Sequence, residues 1–267
     1  MALGGTRRDA VRPEDIRAEP RQGAAHGMAT AQERPLHPVK RGGRPRRLRR
    51  LVGLVLLLPG IVLVLTLTLA LVYSAVTPPS TLMLGRWLTL RSVTREAVPL
   101  ERISPNLVQA VLTSEDQRFC LHRGVDLGAL REAIDDDEGP SRGASTITMQ
   151  TVKNVFLWPG PSYLRKAIEI PLAVLVDALW GKRRTLEIYL NVAEWGEGIY
   201  GAQAAARHWF HKDARDLTRQ EAALLAASLP NPILRSAGKP TPALRRMAAR
   251  IQGRLGQVEG LMACLRG

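Results

Sequence analysis

Residues 115–124 read Glu-Asp-Gln-Arg-Phe-Cys-Leu-His-Arg-Gly and begin at the end of a predicted helix. The start of that helix is marked by clear signals. Ser104-Pro105 supplies an N-cap and a first helical residue whose missing N–H costs nothing. Val111 and Glu115 are four residues apart and therefore share one helix face, which is apolar. A carboxylate on that face loses hydration, which raises its pKa and suits it to proton transfer. The alternative is a Glu115 that is exposed to water or paired with Arg118.

The positive charge of the chain is concentrated at its N-terminus. The formal net charge is +14, and residues 1–50 contain 13 Lys and Arg against 5 Asp and Glu, a net charge of +8. This stretch has few large apolar residues, so we expect it to be disordered. A basic tail can indicate nucleic-acid binding, but residues 1–50 contain no Phe, Tyr or Trp to stack on bases. Nucleic acid is therefore not expected as a partner.

An uncharged apolar segment follows the basic tail. Residues 51–76 are dominated by Leu and Val, and their length exceeds the roughly 20 residues that cross a bilayer as a helix. Lys and Arg cluster between 40 and 50, and positive charge stays on the cytoplasmic side. The sequence thus predicts a cytoplasmic tail at 1–50, a transmembrane helix at 51–76 and an exported remainder. A buried core helix is the alternative.

The exported remainder is predicted to be mainly α-helical. From 77 to 235 the pattern is helical nearly throughout, no alternating strand pattern is convincing, and the length suits one compact domain. Residues 236–267 predict a C-terminal amphipathic basic helix, with apolar residues at helical spacing over 243–265. The acidic turn at 135–140 lacks the spaced ligands of a calcium loop, so we interpret it as a solvated loop.

Two segments after the acidic turn carry candidate binding groups. Gly143-Ala144-Ser145-Thr146 leads into a helix through Asn154, and the backbone N–H groups at such a start can hold an anion. An ordinary helix cap is the alternative. Arg165, Lys166 and Glu169 gather on one side of the next helix because they are three and four residues apart. A surface salt bridge would explain that spacing equally well.

The rest of the domain raises three structural expectations. Pro171 predicts a kink about one turn before it in a long apolar helix. Glu187 and Asn191 share a face of a further helix, where a bracing role is as good an interpretation as any. Cys120 and Cys264 are the two cysteines. Outside the membrane they could form a disulfide that pins the C-terminal segment, and the sequence leaves their pairing open.

Taken together, these stretches resemble the peptidoglycan glycosyltransferase family, which occurs in bifunctional penicillin-binding proteins and as single-domain, membrane-anchored enzymes. The residues that match its four motifs are Glu115, Asp116, Phe119, His122 and Gly124; Gly143 to Gln150 with Lys153 and Asn154; Arg165, Lys166 and Glu169; and Lys182, Leu186, Glu187, Tyr189, Leu190 and Asn191. The four groups follow the family's order at plausible spacing. No penicillin-binding Ser-x-x-Lys domain follows, so the chain looks like the monofunctional biosynthetic form.

The resemblance implies a lysozyme-like, two-lobed helical glycosyltransferase domain behind one N-terminal transmembrane helix. It implies that the sugar 4-hydroxyl of lipid II attacks a glycan strand held on undecaprenyl diphosphate, with inversion and release of the lipid diphosphate. Glu115 would be the base, and Lys153, Arg165 and Lys166 would neutralise the leaving diphosphate. Glu169, the second expected catalytic residue, would order these cations or a divalent ion.

The resemblance also assigns supporting roles. Further substrate-binding residues would be Ser145, Thr146, Gln150 and Asn154, and motif support would come from Asp116, Phe119, His122, Gly124, Glu187 and Asn191. No cofactor is expected to be obligatory, with Mg²⁺ or Mn²⁺ at the diphosphate as the candidate. The expected partners are lipid II, the nascent lipid-linked strand, the membrane and proteins of division or elongation. The expected location is the bacterial inner membrane, with the N-terminus cytoplasmic and the catalytic domain periplasmic.

The sequence departs from the family at one place, and two other functions stay open. A basic residue often precedes the family's Arg-Lys-x-x-Glu, where this chain has Pro159-Gly160-Pro161, so diphosphate would be held by fewer cations. A lytic transglycosylase or lysozyme would also use one buried Glu, but it has no evident need for the cluster of cations. An inactive cell-wall scaffold is the other alternative.

Overall fold

The computed structural model describes residues 46–135, 144–160, 162–260 and 262–265, without the side chains at 46–49, 51, 54, 56, 134, 258 and 259. The helices in these ranges are α1 (Arg46–Tyr73), α2 (Thr81–Leu88), α3 (Pro105–Glu115), α4 (Leu127–Asp135), α5 (Ile147–Phe156), α6 (Tyr163–Val192), α7 (Ala202–Phe210), α8 (Arg219–Ser228), α9 (Pro242–Gln252) and α10 (Leu255–Glu259). The mainly helical fold expected from the sequence is confirmed. Residues 1–45 of the predicted tail, the acidic turn after Asp135 and Pro161 lie outside the described residues.

Three short strands form a small sheet that the sequence did not predict. They are β1 (Thr94–Arg95), β2 (Glu194–Gly196) and β3 (Ile199–Tyr200). The strand order is β1-β3-β2, with β1 parallel and β2 antiparallel to β3. Strands of two or three residues are too short to show an alternating pattern in the sequence. The sheet joins the segment before α3 to the turn after α6.

The N-terminal helix begins earlier than the sequence suggested. α1 starts at Arg46, so the end of the tail that was expected to be disordered is helical. In the described ranges, none of the helices combines the length and the apolar character that a membrane crossing requires. The next helix, α2, is capped by Ser80 and packs one face inward, because Met83 is buried while Leu88 is exposed.

Two hydrophobic clusters form the core, and α6 contributes to both. One cluster combines α3, α7, α8 and α9 with Leu186 and Leu190 of α6. The other combines α5 with Ala173 and Val176 of α6, and it includes Met83 of α2. The residues that connect α3 to α5 pass from one cluster to the other. A site at the end of α3 therefore lies at the junction of the two clusters.

α6 is interrupted at a different residue from the one the sequence indicated. Its backbone leaves helical geometry at Gly181, where φ is +67°, and not near Pro171. Pro171 is exposed, so water can reach the carbonyl that its ring leaves without a donor. Glycine enters the left-handed region at little steric cost, and the helix therefore changes course there. The break at Gly181 was not predicted, and the kink expected near Pro171 stays a prediction.

The C-terminal segment is not the single helix that was expected over 243–265. α9 ends at Gln252, α10 occupies Leu255–Glu259, and a short 3₁₀ turn follows at Ala263–Leu265. Gly253 separates the two helices, in keeping with the low helix propensity of glycine. Cys120 and Cys264 form a disulfide with their Cα atoms 5.6 Å apart. The C-terminus is therefore joined covalently to the stretch that ends α3.

Candidate active site

Glu115 ends α3 and borders a cleft of about 560 Å³. Gln150 of α5 donates a hydrogen bond from Nε2 to Glu115 Oε2 at 2.9 Å. The hydroxyl of Tyr189, on α6, donates to Gln150 Oε1 at 3.2 Å. Arg118 pairs with Asp126 at 3.5 Å, so the alternative in which Glu115 pairs with Arg118 is wrong. One oxygen of the Glu115 carboxylate is thus fixed by a two-member hydrogen-bond chain.

The environment of Glu115 favours a base. Burial raises its pKa above the usual range for a glutamate, against smaller lowering effects from the Gln150 hydrogen bond and the charge of Lys153. Ser114 lowers this pKa further through a side-chain hydrogen bond, and the neighbouring Asp116 raises it. A carboxylate with a raised pKa accepts a proton more readily once it is ionised. The pKa rise expected from the apolar helix face therefore agrees with the structure.

Asp116 ties the end of α3 to the start of α5. Its carboxylate lies 3.0 Å from Nε2 of His122 and accepts a hydrogen bond from the backbone N–H of Ile147 at 3.0 Å. Thr146 caps α5 by accepting the N–H of Met149 at 3.1 Å. The anion at this helix start is thus a carboxylate of the protein itself. Of the two interpretations of this segment, the structure favours the helix cap.

The rest of the stretch after Glu115 is fixed on α5 and α6. Thr146 donates its hydroxyl hydrogen to the carbonyl oxygen of Gly124 at 2.6 Å. Phe119 is buried, and the ammonium group of Lys182 lies 4.7 Å from the centre of its ring. Lys182 also pairs with Asp177 at 2.7 Å, an ion pair that the sequence did not suggest. These contacts stabilise the loop whose first residue is Glu115.

The cluster at the start of α6 is built around a buried carboxylate and two half-buried cations, and so differs from the surface salt bridge that its spacing also allowed. Glu169 is buried, and its Oε1 lies 2.9 Å from the Lys166 ammonium group. The Arg165 Nε atom lies 3.6 Å from Glu169 Oε2. Lys166 also donates to the hydroxyl of Ser145 at 3.2 Å, which links this cluster to the start of α5.

Lys153 connects the α6 cluster to Glu115. Burial lowers the pKa of Lys153, an effect that the charges of Glu169 and Glu115 oppose and those of Arg165 and Lys166 reinforce. These side chains are therefore close enough to influence each other's charge. Glu115, Glu169 and the three cations predicted from the sequence meet in one region between α3, α5 and α6.

The structure places Asn154 beside α2. Its main-chain oxygen accepts a hydrogen bond from Thr81 Oγ1 at 3.2 Å, which makes it part of the contact between α2 and α5. Asn154 lies one helix turn beyond Gln150, whose side chain contacts Glu115. The expected role of Asn154 in substrate binding stays a prediction.

Glu187 and Asn191 brace the segment that leads into α3. The side-chain amide of Asn191 bonds both the N–H and the carbonyl oxygen of Val98, at 2.9 and 2.8 Å. Glu187 accepts the N–H of Leu100 at 3.1 Å and pairs with Arg184. Both side chains are engaged by the backbone, so the bracing interpretation agrees with the structure.

Sequence reasoning missed two parts of the site. Tyr189 matched a family motif, yet its hydroxyl contact with Gln150 depends on how α6 packs against α5. The far wall of the cleft is formed in part by Arg250, Ile251 and Arg254, from the C-terminal segment. The sequence showed that this segment is amphipathic, but not that it faces Glu115.

Tyr189→Phe should reduce turnover about fivefold, as expected for the loss of one hydrogen bond worth about 1 kcal/mol. Without its donor, the Gln150 amide holds Glu115 less firmly, and the pKa of Glu115 rises further. If Glu115 is the base, activity requires its ionised form and rises as the pH passes that pKa, so the acid limb of the pH profile should move to higher pH. Tyr200→Phe removes a buried hydroxyl on β3 and should leave that limb unchanged. If the acid limb of the pH profile is unchanged in Tyr189→Phe, the hydrogen-bond chain from Tyr189 through Gln150 does not control the pKa of the catalytic base.

The fold and site define an enzyme class: a helical protein with a half-buried glutamate of raised pKa near a cluster of cations, an arrangement suited to transfer from an anionic leaving group. Residues 83–255 match the family model described as Transglycosylase. The biosynthetic peptidoglycan transglycosylase of Rhizobium meliloti is 53% identical over 230 residues, which cover 85% of this chain and 95% of that protein. The chain therefore belongs to the transglycosylase family.

Further relatives extend over most of the chain as well. The biosynthetic peptidoglycan transglycosylase of Brucella suis is 52% identical over 207 residues, covering 76% of this chain and 92% of the relative. The protein of that name from Mesorhizobium japonicum is 49% identical over 230 residues, covering 84% of this chain and 98% of the relative. The resemblance inferred from the four motifs is thus confirmed at the level of the family.

Proposed function

We propose that this enzyme is a peptidoglycan glycosyltransferase that polymerises lipid II into glycan strands and releases undecaprenyl diphosphate. The observation that carries the proposal is the position of Glu115 at the border of a cleft, within the influence of the charge of Lys153, which in turn lies close to Arg165 and Lys166. The names of the relatives, which are biosynthetic peptidoglycan transglycosylases, support the same substrate class. The two hydrophobic clusters support the two-lobed, lysozyme-like arrangement that the resemblance implies.

In the proposed reaction, Glu115 acts as the general base. The 4-hydroxyl of the acceptor sugar forms a bond to the anomeric carbon of the strand as the bond from that carbon to the diphosphate oxygen breaks. The hydroxyl proton passes to Glu115, whose Oε1 is available because Oε2 accepts the hydrogen bond from Gln150. The electron pair of the broken bond leaves with the diphosphate. Attack from the opposite side inverts the configuration.

The three cations stabilise the charge that develops on the leaving diphosphate. Glu169 contacts both Lys166 and Arg165, so these side chains are oriented before the substrate binds. Charges that are already in place require little reorganisation as the bond breaks, and this makes their contribution to catalysis large. Glu169 acts in this proposal through the cations that it orders.

A divalent ion at the diphosphate remains part of the proposal, but the steps above do not depend on it. Among the described side chains, no three His, Cys, Asp or Glu residues are gathered where a metal ion could be held. Glu169 already contacts two cations. Mg²⁺ or Mn²⁺ would therefore be bound chiefly by oxygens of the diphosphate.

The proposal also places the enzyme at the bacterial inner membrane with its catalytic domain in the periplasm. The uncharged run at 51–76, preceded by clustered Lys and Arg, supports an anchor with a cytoplasmic N-terminus. The exposed apolar side chains of Trp87 and Leu88 on α2 support contact with lipid. The Cys120–Cys264 disulfide is typical of an oxidising compartment. Division or elongation proteins as partners stay a prediction.

The test is polymerisation of labelled lipid II by the detergent-solubilised full-length protein, with products separated on a gel. We expect a ladder of glycan polymers. Cleavage of mature cell wall, without any polymer from lipid II, would instead establish a lytic transglycosylase or lysozyme. A folded protein that does neither would indicate a scaffold. The half-buried cluster of cations argues against the lytic enzyme, because no diphosphate leaves in that reaction.

A further inference from the structure

A second group of cations lies on the opposite wall of the cleft. Arg250 of α9 and Arg254 just after it line the same space as Glu115, together with the apolar side chains of Met247 and Ile251. The two arginines lie on either side of the break at Gly253, and both border the cleft. This cleft wall belongs to the C-terminal segment, which the disulfide at Cys264 joins to the loop after Glu115.

On the Glu115 side of the cleft, the aspartates already have partners within the protein. Asp116 is held by His122 and by the start of α5. Asp126 pairs with Arg118 and accepts the N–H groups of two residues at the start of α4. Among the described residues, neither Arg250 nor Arg254 takes part in an ion pair. Both arginine side chains are exposed and border the cleft, so their positive charge is presented to whatever occupies it.

We propose that Arg250 and Arg254 form a binding subsite for the peptide carboxylates of the glycan substrate as it lies along the cleft. The inference rests on the proposed function. Each muramyl sugar of a peptidoglycan precursor carries a peptide with free carboxylates, and the arginine guanidinium matches a carboxylate with two parallel hydrogen bonds. The apolar side chains beside the arginines offer a surface for the faces of the sugar rings.

The leaving diphosphate has its own cations on α5 and α6, and these do not border this part of the cleft. Lys153, Arg165 and Lys166 are grouped around Glu169, and this group approaches the cleft only at Ser145, which borders the cleft and accepts a hydrogen bond from Lys166. Two separate cationic clusters around one base fit a substrate that carries two separate kinds of anion. The subsite would then contribute to affinity for the glycan and to the length of the strands, without taking part in the proton transfer.

The test compares lipid II that has free peptide carboxylates with lipid II whose carboxylates are amidated, using full-length enzyme. We expect the wild type to show a KM about three- to tenfold lower for the free form, from two partly exposed ion pairs. Arg250→Gln with Arg254→Gln should lose this preference, so that its KM is the same for the two forms, and it should give shorter strands. Arg245→Gln with Arg246→Gln removes the same charge from α9 at positions that do not line the cleft, and it should behave as the wild type.

The outcomes separate this inference from the proposed function. If the wild type makes polymer but does not distinguish the two substrates, the carboxylate subsite is wrong and the proposed function stands. If the Arg250 and Arg254 variant loses affinity equally for both substrates, the arginines bind another part, such as a diphosphate, and the inference is also wrong. If the wild type polymerises neither substrate, the proposed function fails and this inference fails with it.

Discussion

Glu115→Gln should lower the rate of lipid II polymerisation by about 10²- to 10⁴-fold, the usual contribution of a general base. The amide keeps the size of the side chain and can still accept the hydrogen bond from Gln150, so the fold should be unaffected. It cannot take the proton of the attacking hydroxyl at neutral pH. The loss should therefore appear in kcat, while KM for lipid II changes little. Single-turnover polymerisation with labelled lipid II measures the effect directly.

A matched control is available on α4, where Glu132 is exposed. Glu132→Gln makes the same chemical change away from the cleft and should leave kcat as in the wild type. The melting temperature of both variants should match that of the wild type. If folded Glu115→Gln still polymerised lipid II at the wild-type rate, the base would have to be another group, and the mechanism proposed above would be wrong.

Local patterns were sufficient to predict where Glu115, Arg165 and Lys166 lie along the helices, whereas Lys153 was assigned by the family resemblance. The four-residue spacing after Ser104 predicted a partly buried carboxylate at the end of α3, and burial does raise its pKa. The spacing of Arg165, Lys166 and Glu169 likewise predicted a cluster on one helix face, which the structure contains. Such groupings depend on the period of a single helix, and that period can be seen in a sequence.

Contacts between helices could not be predicted in this way. The hydrogen bond from Tyr189 to Gln150 depends on how α6 packs on α5. Tyr189 also lies beyond the interruption of α6 at Gly181, so its direction cannot be extrapolated from the first part of the helix. The start of α5 appeared able to bind an external anion, because nothing in the sequence shows that Asp116 reaches the N–H of Ile147. A local pattern identifies a group that needs a partner, but the tertiary fold determines which partner it obtains.

Gly124→Ala should destabilise the protein by about 2–5 kcal/mol, from backbone strain and overpacking together. Gly124 has φ of +79°, which side-chain-bearing residues rarely adopt. A Cβ atom there would lie 2.4 Å from the carbonyl oxygen of Ala173 and 3.1 Å from the Cα of Val174, so α6 would have to move. Thermal denaturation of the purified protein would measure the loss.

The damage should also reach the active site, because the carbonyl of Gly124 accepts the hydroxyl of Thr146, the N-cap of α5. A shift of the loop away from α6 would weaken this bond and displace the start of α5, which holds Asp116 next to Glu115. Gly85→Ala is the matched control, since a Cβ on that residue of α2 meets nothing within 4 Å. That change should preserve or raise the melting temperature, as alanine favours a helix over glycine. If the Gly124→Ala protein were as stable as the wild type, the loop would be able to move away from α6 at little cost. In that case the packing of Gly124 against α6 would not position Glu115.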